Sequence, residues 1–157
     1  METIIHPSIS KERVNVLLIG NNPIEMGRVL NNLNQIRGQN ITTEIAFDVK
    51  SILERLLKFR PTFILIDDNI GKTELLATVN SLSSNKRTKN VPITVLKNSN
   101  YHEAMGSASI LDYLLKQNLS SEALYNMLKN SLRLRRTQQL LYNAYKKRKN
   151  QLLKVIR

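Results

Sequence analysis

Arg60-Pro61-Thr62-Phe63-Ile64-Leu65-Ile66-Asp67-Asp68-Asn69 constrains what this chain can fold into more than any other stretch. Four apolar residues run directly into two carboxylates. A short, unbroken apolar run bounded by proline and by polar residues is the pattern of a strand buried on both faces. Such strands belong to parallel sheets covered by helices on both sides. In open sheets of this kind, ligands and chemistry gather just beyond the carboxyl ends of the strands. Asp67 falls at such an end.

Similar runs recur on either side. Val14 to Ile19 reads as a buried strand closed by Gly20-Asn21-Asn22-Pro23, with Asn22 as a helix N-cap and Pro23 in the first turn. Ile24, Met26, Val29, Leu30, Leu33 and Ile36 form one stripe at helical spacing, ended by Gly38 and Asn40. Thr42 to Phe47 is a second strand, and Asp48 caps a helix with Ile52, Leu53, Leu56 and Leu57 on its apolar face. Beyond the Asp67 strand, Thr73 to Leu82 gives a third helix and Val91 to Leu96 a fourth strand. A short helix is expected over Tyr101 to Gly106, then a fifth strand over Ile110 to Leu115. A last helix starts at Ser120 and meets no Gly or Pro before Arg157. This alternation predicts an α/β fold: a flavodoxin-like, doubly wound, five-stranded parallel sheet of order 2-1-3-4-5, with right-handed connections and an extended C-terminal helix.

Charge divides the chain in two. All 12 acidic residues lie at or before Glu122; residues 1–122 carry 14 Lys and Arg, for a net of +2, while residues 123–157 carry 10 and no acid, for a net of +10. The expected organisation is a loosely attached N-terminus over 1–12, a domain over 13–130 and a basic helical extension over 131–157. Cysteine is absent, which excludes disulfides and thiolate metal sites, and His6 and His102 stand outside any metal-ligand spacing. No stretch reaches the roughly 20 apolar residues of a membrane span, and the N-terminus shows no basic segment followed by an apolar one. A cytoplasmic protein without a membrane span is the expectation.

The carboxyl ends of the strands collect Gly20 and Asn21, then Asp67, Lys97 and Lys116. With Pro61-Thr62-(Phe63 to Ile66)-Asp67, Val91-Pro92-Ile93 and Asp112-Tyr113-Leu114-Leu115-Lys116, the order and spacing resemble the receiver domain of two-component response regulators. The resemblance covers roughly residues 13–130. It implies a module that relays signals by phosphorylation rather than an enzyme, and a sensor kinase and an output domain as partners. It makes Asp67 the phosphoacceptor position, Lys116 the lysine position and Tyr113 the switch-aromatic position.

The departures bear on the chemistry. In receivers an acidic pair on the first strand joins the phosphoacceptor in holding Mg²⁺, which neutralises the phosphoryl oxygens. Gly20 and Asn21 occupy those places here. Mg²⁺ prefers carboxylate oxygens, and Asp67 and Asn69 are weak remaining candidates for it. Lys97 stands where receivers carry a Thr or Ser hydroxyl. Two readings of Asp67 follow: a phosphoacceptor using Mg²⁺, or, favoured, a pseudo-receiver position held by Lys97 and Lys116 with no cofactor. An ion pair at ~4 Å is worth ~4 kcal/mol in gross Coulomb terms at an effective dielectric of 20, before desolvation. The alternative for Lys97 is a side chain in solvent.

From Leu124 a 3.5-residue period runs through Met127, Ser131, Leu134, Gln138, Leu141, Tyr145, Arg148, Leu152 and Val155. The last helix of a receiver ends near the position of residue 130, and about 25 further residues add ~38 Å. Leu134, Leu141, Tyr145 and Leu152 are the candidate coiled-coil positions of a dimeric connector, which makes a homodimer the first expectation. Nonspecific nucleic-acid binding through the Lys146–Lys149 run is second. Docking on an acidic protein or membrane surface is a third.

Overall fold

The computed structural model describes residues 13–98, 110 and 112–156. Within them the elements run β1 (Arg13–Ile19), α1 (Pro23–Asn34), β2 (Asn40–Ala46), α2 (Val49–Leu56), β3 (Phe63–Asp67), α3 (Lys72–Ser84), β4 (Ile93–Lys97), β5 (Asp112–Leu115) and α4 (Ser121–Ile156). The five strands form one sheet of order β2-β1-β3-β4-β5, and every pairing is parallel. The expected flavodoxin-like winding is what the chain adopts. The expected helix over Tyr101 to Gly106, His6, His102 and residues 1–12 lie outside the described residues.

Local chemistry sets the element ends. The Asn22 side chain accepts from the N–H groups of Ile24 (3.0 Å) and Glu25 (3.3 Å), satisfying two donors that the first turn of α1 leaves free. Asp48 and Ser51 cap α2 reciprocally, Asp48 Oδ1 accepting from Ser51 N–H at 2.7 Å and Ser51 Oγ from Asp48 N–H at 3.0 Å. β4 begins at Ile93 rather than Val91, since Pro92 has no N–H for the ladder; its carbonyl accepts from Ile64 N–H at 3.0 Å. Gly71 takes φ +96° in the turn between β3 and α3, a conformation that disfavours any residue with a Cβ.

All five residues of β3 are buried, as its continuous apolar pattern requires of the central strand. Alternation along the strands divides the core. Leu17, Ile19, Ile64 and Ile66 pack with Ile52 and Leu56 of α2 and Val79 and Leu82 of α3. Val16, Leu18, Phe63 and Leu65 pack with Met26, Val29 and Leu33 of α1 and Leu124, Met127 and Leu128 of α4. Asp67 shares the parity of Phe63 and Leu65, so its side chain belongs to the α1 and α4 face.

α4 is one continuous helix of 36 residues. Its first four turns lie against the sheet, with Leu124 and Ser131 buried and Leu132 partly so. Every residue from 136 to 155 is exposed. Among the described residues, no helix is long and apolar enough to cross a membrane.

Candidate functional site

Three carboxylates, from α1, from the end of β3 and from the turn after it, converge on one ammonium at the carboxyl edge of the sheet. Lys116, just beyond β5, forms an ion pair with Asp67 Oδ1, another with Glu25 Oε2 at 2.8 Å and a longer one with Asp68 Oδ1 at 3.7 Å. The lysine side chain is 9 % exposed and that of Asp67 is 1 % exposed. Burial disfavours the charged form of Lys116, but the bonds to Asp67 and Glu25 outweigh it and hold the ammonium above its ordinary pKa. The bond from Lys116 likewise holds the Glu25 carboxyl below its ordinary value, against a smaller opposing effect of burial.

Asp67 Oδ1 also accepts the Asn69 N–H at 2.9 Å, which fixes the carboxylate across the turn that follows β3. Its other oxygen, Oδ2, is buried with no hydrogen-bond partner among the described residues. Asp68 Oδ2 accepts the Asn98 N–H at 3.2 Å, tying the end of β3 to the end of β4.

Gly20 is closed off by a side chain rather than open to a ligand. A Cβ placed there would lie 2.3 Å from Met26 Cε, 2.6 Å from Met26 Sδ and 3.2 Å from Asp67 Cβ. Buried Met26 thus fills the space beside Gly20, and Asn21 is exposed. Mg²⁺ does not fit this donor set. The carboxylates already share an ammonium, thioether and methyl fill the place beside Gly20, and Asn69 turns its N–H toward Asp67. Among the described residues, no group of three or more His, Cys, Asp or Glu is arranged to hold a metal ion.

Lys97 departs from its expected place at Asp67. Its ammonium lies 4.8 Å from the centroid of the Tyr113 ring. The sheet explains why. Asp67 is in register with Leu96, so Lys97, one residue on, projects from the opposite face, and Tyr113, in register with Val95, projects there too. Tyr113 is 37 % exposed, and desolvation raises its hydroxyl pKa. Glu25 is the site residue that the sequence reading missed. As an acid in the first turn of a helix it has a sufficient local role with the helix dipole, and only the fold brings it to Lys116.

No protein-family model and no curated protein matches the chain. Its architecture is similar to the receiver domain of the sensor histidine kinase PA1611 of Pseudomonas aeruginosa, at 17% identity and a TM-score of 0.65, over 77% of this chain and 98% of that one. The fold is that of receiver domains. The chemotaxis response regulator CheY4 of Vibrio cholerae is similar at 22% identity and a TM-score of 0.63, over 76% of this chain and 99% of that one. A fusion carrying the trimeric coiled coil of yeast Spc42 is similar at 17% identity and a TM-score of 0.67, and there the match extends to 93% of this chain and 99% of that one. The PA1611 receiver holds a magnesium ion in its active-site cleft. The receiver fold here surrounds a lysine–carboxylate cluster instead.

Proposed function

We propose that this chain is an atypical, receiver-type relay module of cytoplasmic two-component signalling, without catalytic residues of its own. Its phosphoacceptor position is locked, and it works through protein contacts, first among them pairing with a second copy along α4. The observation that carries this reading is the buried Lys116 ammonium on Asp67 and Glu25, with Met26 in the place beside Gly20. A phosphoryl group on Asp67 would have to displace part of that cluster with no metal to neutralise the incoming charge. A sensor kinase or a downstream output domain remains the natural class of partner. The exposed part of α4 from Leu134 onward supports the pairing, because it sets Leu134, Leu141, Tyr145 and Leu152 in water on one side.

Incubation with acetyl phosphate and Mg²⁺, followed by intact mass, is the test of the locked site. The expected result is no mass gain. A Mg²⁺-dependent adduct that disappears in Asp67→Asn would establish the active phosphoacceptor instead. Light scattering tests the pairing separately, with a dimer expected.

A further inference from the structure

The exposed part of α4 carries a charge pattern that selects one way of pairing. At 100° per residue, Leu134, Leu141, Tyr145 and Leu152 fall within about 40° of one another, a seam along one side of the helix. Their exposures run from 43% to 66%. We infer that this seam takes a second copy of the same helix running antiparallel, in the register that sets Leu134 level with Leu152 and Leu141 level with Tyr145. The inference rests on the homodimer proposed above and adds its direction.

A parallel, in-register pair sets every residue level with itself. Arg148 would then meet Arg148 across the seam, and Lys149, at its edge, would stand level with Lys149. α4 has no acid after Glu122 to offset either encounter. Reversing one helix about Asn143 removes both. Lys146, Lys147, Arg148 and Lys149 become level with Leu140, Gln139, Gln138 and Thr137 of the second copy. Arg135 and Arg136 become level with Gln151 and Asn150, Arg133 with Leu153, and Lys154 with Leu132. No cation between residues 132 and 154 then stands level with another. The two four-residue basic runs move about 14 Å apart along the axis, beyond the Debye length of about 8 Å at physiological ionic strength. Within the seam, Arg148 meets Gln138, whose amide oxygen accepts from a guanidinium, whereas the parallel pair sets Arg148 against Arg148. The like-charge approach that remains is Arg135 beside Lys149 at the edge of the pair, where Arg135 is partly buried and Lys149 is exposed.

The absence of native cysteine makes the direction directly readable. Leu134→Cys and Leu152→Cys, prepared separately in the full chain, are oxidised alone and as a mixture. The expected product is a disulfide-linked dimer from the mixture, with little from either variant alone. Self-linking of Leu152→Cys overturns the inference while leaving the homodimer standing. A chain that light scattering finds monomeric overturns both. Because these substitutions thin the seam, Lys154→Cys, which lies off it, carries a spin label as an independent measure. The antiparallel register separates the two labels by at least about 33 Å along the axis, and a distance of about 20 Å, two helix widths, overturns it.

Discussion

Lys116 and the Lys146–Lys149 run carry the same charge in opposite surroundings. Lys116 is nearly sealed from water and meets three carboxylates. The run at 146–149 stands in solvent on a helix with no acid after Glu122. The contrast teaches where each cation has its effect. A buried ammonium contributes to the fold through its partners, and loss of either side strands the other. An exposed cation on a one-signed helix contributes little to the fold and a great deal to what the helix will tolerate beside it.

The largest effect expected from breaking this contrast is that of Lys116→Met. It leaves the Asp67 carboxylate buried and without its cation, and should lower stability by about 3–5 kcal/mol in denaturant unfolding. Lys116→Met combined with Asp67→Asn should recover much of that loss, since the carboxylates left without the cation, Glu25 and Asp68, are partly exposed to water. A loss below about 1 kcal/mol for the single variant would place Lys116 with the exposed cations and end the comparison. Gly20→Ala comes next, at about 1–3 kcal/mol, because its methyl group meets the Met26 side chain at 2.3 Å and Met26 is 2 % exposed. Gly20→Ala with Met26→Ala should cost no more than Met26→Ala alone, since the clash is gone. Strict additivity in thermal melts would show that the thioether does not fill the place beside Gly20.

The fold was legible because its signals are local and repeated. β1, β3 and β4 are short apolar runs, Asn22 and Asp48 are caps, and the Asp67 strand has the continuous pattern that only a central parallel strand needs. The site was legible in its positions and not in its contacts. Gly20, Asp67, Lys97 and Lys116 fall at strand ends that order and spacing locate. Which way Lys97 points is decided by its parity with Leu96 and by the register of β4 on β3, neither of which a residue pattern states. Glu25 and Lys116 lie on the first helix and just past the last strand, so their approach exists only once the sheet is wound. The Met26 side chain beside Gly20 likewise reads, in the sequence, as one more apolar residue on the stripe of α1.

A smaller effect separates the two partners of Lys116 by pH. The Glu25 carboxyl is held below its ordinary value of 4.5, so its contribution to stability is present above that value and is lost as pH falls through the lowered one. Glu25→Gln should therefore cost about 1 kcal/mol near neutrality and converge on the parent chain in acid. Lys116 behaves oppositely: its ammonium is held above its ordinary value of 10.5, so the cluster keeps its cation below 10.5 and loses it only as pH rises through the raised value. Stability curves of the two chains that stay parallel from pH 7 down to pH 3 would show that Glu25 contributes through packing and not through its charge.

Truncation after Arg135 should have the smallest effect on the fold and tests the other half of the contrast. Residues 136–155 are exposed and cover none of the core, so unfolding of the sheet unit at low protein concentration should shift by less than about 0.5 kcal/mol. At higher concentration the parent chain should be the more stable of the two, because pairing of α4 adds to the folded state by mass action, and the truncated chain should show no such dependence. If truncation instead lowered stability equally at every concentration, the exposed helix would belong to the fold of its own sheet unit, and the exposed cations on it would need no second molecule.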